Sequence, residues 1–443
     1  MKEKKMGVLQ LTVVTAINMM GSGIIMLPTN LAQIGTISIL SWFVTAFGAM
    51  LLAYGFAQAG IYSRKHGGMG GYSEYSFGKA GAFMSNYAYG VSGVISNVAI
   101  AISCVGYLAG FFGWHLSPMG VVIWTIIVLW LSTILNFGGA KITGRISSFT
   151  VLGVLIPLFF IILFGWFWFS GARYMSAWNP HHYTAFAGLG KSVSITLWAF
   201  LGLESASANM DKVENPKKNV PIAVLGGTIG AAFLYILSTN IVQGIVPNLD
   251  LANSTAPFGL VFAHMFNPTI GHLVMSLFVI SCFGSLLTWQ FTMAEVFRSS
   301  AQEGYYPQIF NKTIGNGTPL AGLIIFTLLQ TLLAFSSISP SLSAQFAILV
   351  NLAVITNCIP YLLSMGSLKT MMRIDGTSSP AKEKLVAIVA FAAGVYTLYA
   401  ISQAGTTAIV LGSIVTLFGW TLYGAMSYKF DVPSGQHSAK RTA

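Results

Sequence analysis

NMMGSGIIMLPTN (residues 18–30) lies inside one apolar run, and TLWAFLGLESASANM (residues 196–210) lies inside another, five spans further on. In the first, Gly21, Ser22 and Gly23 with Pro28 behind them weaken helix at the depth where a spanning helix should be regular. The second sets Gly202 beside Glu204 and continues with Ser205, Ser207 and Asn209. Irregular backbone at membrane depth survives only where it lines a cavity or is buried in protein. Interrupted helices at the start of two five-helix halves are the pattern of an inverted-repeat secondary transporter with a midplane site. GSG could also be a close-packing surface between helices, but a second break at the equivalent place favours the transporter.

Glu204 is the only acidic residue near the middle of any apolar span. A carboxylate there is costly, marks a substrate or ion pathway by default and asks for a cationic partner. No Lys or Arg occupies a comparable depth. The expected partner is therefore a ligand from water, which points to transport of an amine or a cation. The competing reading is a protonated carboxyl hydrogen-bonded between helices.

Over 443 residues the chain is 55% hydrophobic and 7% charged, with mean hydropathy +0.73, against about 25% charged for a soluble domain. It reads as an all-α polytopic membrane protein. Twelve runs reach the length of about 20 residues that a bilayer requires: 8–33, 36–62, 82–112, 119–137, 146–169, 188–209, 220–246, 271–298, 319–338, 342–367, 384–402 and 406–427. They form a single transporter domain over 1–443, with a first repeat at 8–169, a second at 188–367 and two extra helices at 384–427. The external loops 170–187 and 247–270 are too short for a separate soluble domain. Lys2, Lys4 and Lys5 precede a first run that shows no A-x-A cleavage pattern, so it reads as a retained helix.

Basic loops stay in the cytoplasm. With the N-terminus inside, 20 of the 22 Lys and Arg fall inside and only Arg173 and Lys191 outside, which places both termini in the cytoplasm. The net charge of +11 is thus explained by topology, with no nucleic-acid partner. Cys104, Cys282 and Cys358 sit in apolar spans without metal-ligand spacing, so no metal or cofactor is expected. An intramembrane enzyme would need clustered ligands or a nucleophile with its base, and an ATP-driven pump would need a nucleotide motif; neither is present. A cation-selective channel is the rival of a different class.

The chain resembles the basic amino acid/polyamine antiporter branch of the amino acid/polyamine/organocation superfamily. The likeness covers essentially the whole length. It is carried, in order, by NMMGSGIIMLPTNLA (18–32), SRKHGGMGGYSEYSFGK (63–79), LWAFLGLESASAN (197–209), VENPKKNVPIAVLGGT (213–228) and EVFRSSAQEGYYPQIF (295–310). GSG alone is a weak signal; the ordered set is a strong one. WNPHH (178–182) and LANSTAPFGL (251–260) are similar to loops of branch members that exchange putrescine for ornithine. Cadaverine/lysine and agmatine/arginine exchangers share the GSG and GLES-type helices.

This resemblance implies a LeuT-like fold of twelve helices, with an inverted 5+5 repeat and helices 1 and 6 unwound near 21–23 and 198–204. It implies exchange of intracellular putrescine for extracellular ornithine at a bacterial inner membrane by alternating access, and leaves open proton-coupled putrescine uptake and the oligomeric state. The half-helix after Gly21, Ser22 and Gly23 would offer backbone N–H groups and a positive dipole end to an amino-acid carboxylate. Glu204 would take an ammonium. Trp198 and Trp289 match family positions that stack on substrate, where an indole face offers a cation about 0.5–2 kcal/mol. Tyr89 and Asn97 are carried over as polar cavity groups. Glu74, in the first cytoplasmic loop with Tyr72, Tyr75 and Lys79, guards the inner mouth or is an ordinary exposed charge. Tyr423 on the last span lines the cavity or packs. Glu295 and Arg298 at i, i+3 read as a structural pair, and His181 and His182 in an external loop are candidates for an acid sensor with no partner visible in the sequence.

Overall fold

Backbone amides that water cannot reach must close their hydrogen bonds within the segment, and the apolar runs do so as helices. The computed structural model describes residues 7–65, 67–205, 213–302, 304–315, 317–339 and 341–429, leaving aside the side chains of 14, 17, 21, 22 and 429. Ser207, Asn209 and the basic residues at positions 2, 4, 5, 212, 440 and 441 lie outside the described residues.

Helix α1 (Val8–Gly23) gives way to α2 (Leu27–Ala32), with Pro28 in the first turn of α2, where its missing N–H is tolerated. Then come α3 (Ile39–Tyr62), α4 (Met69–Phe112), α5 (Pro118–Asn136), α6 (Ala140–Thr150), α7 (Leu152–Phe164), α8 (Gly171–Ser176) and α9 (Ala185–Trp198). After 205 the chain resumes with α10 (Pro216–Ile245), α11 (Asn248–Ala252), α12 (Pro257–Met265), α13 (Pro268–Gln302), α14 (Leu320–Ser336), α15 (Leu342–Asp375), α16 (Pro380–Gln403) and α17 (Thr406–Met426). No β-strand occurs among the described residues. Nine helical stretches there are long and apolar enough to cross a bilayer, and α14 is apolar but shorter.

Three boundaries differ from those the sequence suggests. GSG forms the last turn of α1, and the helix yields only at 24–26. Helix α4 starts at Met69, so Glu74 rides on a helix instead of a loop; the rod is broken at Gly78 (φ 61°, ψ −158°), a backbone open to glycine. The segments 170–187 and 247–270, expected as loops, carry the short helices α8, α11 and α12. Hydropathy finds the apolar stretch of a helix and misses amphipathic extensions and lids.

The bundle is built around α4 and α15, whose apolar windows are 72% and 67% buried, against 11% for α17 at the edge. Close approach comes from small residues facing large ones. Gly48 and Gly55 of α3 admit Tyr396 and Met365, while Gly90 and Gly93 of α4 admit Phe297 and Met293. Buried hydroxyls and amides clasp neighbouring helices, as in Thr45 with Thr196 at 2.7 Å and Ser132 donating to Gln290 at 2.6 Å.

One end of the bundle is strongly charged. Arg64 pairs with Asp375 at 2.6 Å, Lys65 with Glu74 at 2.7 Å and Arg298 with Glu295 at 2.8 Å, and Lys217 and Lys218 open α10. Arg173 lies at the far end of that 30-residue helix, donating to the Gly244 and Ile245 carbonyls.

A Cβ on Gly90 would stand 1.9 Å from the Phe297 ring, which Tyr306, Phe310 and Phe326 hemmed in on other sides keep from swinging away. Gly90→Ala is expected to destabilise the protein by about 1–3 kcal/mol through overpacking. Gly230→Ala, with open space at its Cβ, should be neutral or mildly stabilising. Thermal melts of the two variants in detergent check the contrast.

Candidate functional site

Helix α9 stops at Trp198, and residues 199–205 continue as turns. Gly202 has φ 102°, a backbone that only glycine adopts without strain. This turn folds the Gly202 N–H onto Glu204 Oε2 at 3.2 Å. Tyr89 on α4 donates to Oε1 at 3.1 Å, and Tyr361 on α15 donates to Oε2 at 2.6 Å. Glu204 is 4% exposed, so donors from three elements replace the water that an ionised carboxylate would otherwise hold.

Helical spacing explains the grouping. Tyr89, Ser92, Gly93 and Ser96 share one face of α4, and Asn357 and Tyr361, four apart, share one face of α15. With Trp198, Trp289, Gly23 and Glu204, the α4 group and Asn357 line a central cavity of about 30 Å³, and Tyr361 reaches it only through Glu204. The cavity holds about two waters and not a diamino acid. A larger cavity of about 440 Å³ shares Tyr89 and Glu204 with it and reaches Gly67, Gly68 and Glu295 at the charged end. Tyr89 and Glu204 thus stand between a tight central chamber and a larger vestibule toward the charged end.

The side away from the charged end is laced shut around α2. Thr36 and Ile37 donate backbone N–H groups to the carbonyls of Ala177 and Trp178, at 2.9 Å each. His181 Nε2 meets the Gln33 carbonyl at 2.8 Å, and Gln33 Nε2 donates to the Ala252 carbonyl and Ser343 Oγ, both at 3.0 Å. Both loops singled out in the sequence, 178–182 and 251–260, therefore close over one short helix. A separate cavity lined by Trp114, His115, Thr255 and Gln345 shares no residue with the central chamber.

Of the residues proposed from sequence, Glu204, Trp198, Trp289, Tyr89 and Gly23 converge on the central cavity. The backbone of Gly21 and Ser22 lies in the last turn of α1, and their side-chain surroundings lie outside the described residues. Gly23 is also a contact point: a Cβ there would come within 2.9 Å of Ala199 Cα, so the ends of α1 and α9 touch backbone to backbone. Asn97 is 1% exposed, with neither amide atom partnered, and does not line the cavity. Glu74 binds Lys65 and accepts from Tyr305 at 3.1 Å, at the charged end. Tyr423 packs on Phe83, with ring centroids 5.5 Å apart. Sequence reasoning missed Tyr361, Asn357, Asn18 and Ser92. A tyrosine beside Pro360 inside an apolar run was the available signal for Tyr361.

The chain belongs to the amino acid permease family, whose sequence pattern matches residues 6–427. It is 62% identical over 431 residues to the putrescine transporter PotE of Haemophilus influenzae (strain ATCC 51907 / DSM 11121 / KW20 / Rd), covering 97% of this chain and 99% of the relative. It is 58% identical to PotE of Escherichia coli (strain K12), covering 97% and 98%. The cadaverine/lysine antiporter of Escherichia coli (strain K12) is 33% identical over 380 residues, 85% of each chain.

A Cβ on Gly202 would meet Trp289 at 3.2 Å and the Asn18 carbonyl at 3.3 Å in addition to the strained φ. Gly202→Ala is expected to reduce transport at least as severely as Tyr361→Phe, which deletes one donor to Glu204 and keeps the ring. Initial uptake rates, normalised to membrane protein level, test the order.

Proposed function

We propose that the protein is a secondary active transporter that exchanges intracellular putrescine for extracellular ornithine across a bacterial inner membrane by alternating access. The observation that carries this reading is the single deep carboxylate, Glu204, set at the junction of a central chamber and an inner vestibule. The names of the relatives that are 62% and 58% identical support putrescine, and the lower 33% identity of the cadaverine/lysine antiporter weighs against the longer substrates.

In this reading the fold is twelve spans in an inverted 5+5 repeat: the nine long apolar helices, α1 with α2, α9 with the chain that follows it, and α14. Both termini are cytoplasmic, which puts the charged end inside. The vestibule then faces the cytoplasm and the laced side of α2 faces out, so the arrangement is inward-facing. Glu204 receives one ammonium of either substrate, and Trp198 and Trp289 offer indole faces to the chain between its ends. The α-carboxylate of ornithine is read by backbone N–H groups after Gly21, Ser22 and Gly23. Because Gly23→Ala drives into Ala199 backbone, Ser22→Val is the cleaner probe of that contact. Membrane lipid is the surrounding solvent, and protons remain a second coupling ion for putrescine uptake.

Glu204→Gln should abolish exchange of both substrates and Glu204→Asp should retain a fraction, with normal membrane levels, in proteoliposomes loaded with putrescine and offered labelled ornithine. Parent-like rates in Glu204→Gln would reduce the carboxylate to a structural hydrogen-bond acceptor. Charge gives an independent test. Putrescine leaves with two positive charges and ornithine enters with one, so each cycle moves one net positive charge outward. An inside-negative potential opposes it by about 2.3 kcal/mol per 100 mV. Exchange is therefore expected to slow under an inside-negative potassium diffusion potential and to quicken when the sign is reversed.

A further inference from the structure

A side cavity of about 340 Å³ lies between α15 and α16, lined by Leu362, Met365 and Gly366 of the first helix and Ala387, Phe391 and Leu398 of the second. It shares no residue with the central chamber or the vestibule. Small residues make the room: a Cβ on Gly394, another wall residue, would meet nothing nearer than Leu362 at 3.8 Å. Phe391 and Leu398 are 74% and 56% exposed, so the slot opens sideways, toward the hydrocarbon of the bilayer.

Length and charge say what fits. The wall of α16 from Ala387 to Leu398 covers about 16 Å of helix, close to half of the ~30 Å hydrocarbon core and so to the depth of one leaflet. That is the reach of one acyl chain. Every wall residue is apolar except Lys369, which is the α15 wall residue nearest the charged end. Lys384 precedes Ala387 by three residues and Phe391 by seven, so it continues the same face of α16 beyond the slot, again toward its charged end. Both lysines are exposed, and neither forms an ion pair among the described residues. The neighbouring acid, Glu383, is taken by Arg373 at 4.0 Å and by Ser378 at 2.8 Å. Two unpaired cations at the polar end of an apolar slot complement a phosphate carried on an acyl chain.

We propose that this slot binds one anionic phospholipid from the leaflet at the charged end, with an acyl chain between α15 and α16 and the phosphate held by Lys369 and Lys384. The lipid then lies against α15, the helix that carries Tyr361 to Glu204. The site depends on the chain crossing a membrane and not on which amine it carries.

The test uses the purified full-length protein in nonionic detergent, to which dioleoyl phosphatidylglycerol, dioleoyl phosphatidylcholine, short-chain phosphatidylglycerol or glycerol phosphate is added. The mass of the intact complex and its resistance to heat read binding. Dioleoyl phosphatidylglycerol should bind best, and glycerol phosphate and the short-chain lipid poorly. A lysine beside an anionic headgroup is worth about fivefold, so Lys369→Gln with Lys384→Gln should cut the preference for phosphatidylglycerol over phosphatidylcholine by on the order of tenfold. Lys369→Arg with Lys384→Arg should keep it. Gly394→Leu fills the slot and should weaken both long-chain lipids; if that variant does not fold, the short-chain lipid on the parent protein tests the same contact. An unchanged preference in the double Gln variant overturns the proposal. So does binding of the short-chain lipid or glycerol phosphate as tight as that of the long-chain lipid, which would leave only a phosphate site. A lipid-free dimer that Gly394→Leu dissociates would give the slot to a second copy of the chain and overturn it as well.

Discussion

Holding the Glu204 carboxylate away from bulk water sets the terms for everything around it. An ionised carboxylate at that depth needs several donors in place before any ligand arrives. Tyr89 comes from α4, Tyr361 from α15 and the Gly202 N–H from the turn itself. Those donors require α9 to end at Trp198, require a glycine at φ 102°, and require the two most buried helices of the bundle to lie side by side. Trp289 and the Asn18 carbonyl close on the same turn within about 3.4 Å of where a Cβ would sit, so the turn is held from several sides.

The two faces of the site are unlike for a related reason. On one side the short helix α2 is bound by backbone and side-chain hydrogen bonds to the segments around 177–181 and 252–254 and to the start of α15. On the other, the vestibule reaches residues beside the ion pairs of the charged end. Opening the first side means breaking many neutral hydrogen bonds, each of modest net worth of about 0.5–1.5 kcal/mol. On the second, the nearby ion pairs Lys65–Glu74 and Glu295–Arg298 are local in sequence and partly exposed, so they tie no distant helices together and are individually weak. Both faces are thus built from contacts that a bound substrate can outweigh in turn.

Much of this was legible in the amino-acid sequence. Charge scarcity and hydropathy identify an all-helical membrane protein, the two interrupted spans point to Glu204 and Gly23 as neighbours of one site, and the family resemblance adds Trp198. The separation of Arg173 from the basic cluster is also readable, because it follows from counting charges in loops. These features are local in sequence or follow a fixed period, and solvent transfer energies act on them residue by residue.

Only the tertiary structure decided which residues meet Glu204. Tyr361 is 157 residues away in the chain and Tyr89 is 115, and no pattern within α4 or α15 says that these faces turn toward the same turn. The same holds for Gly23, whose glycine reads as a flexible break and acts as a point of backbone contact with Ala199. Tyr423 and Glu74 went to an aromatic cluster and to an ion pair for the same reason. Sequence fixes what a residue can do chemically, whereas its partners depend on how helices cross, which close packing of the whole bundle sets.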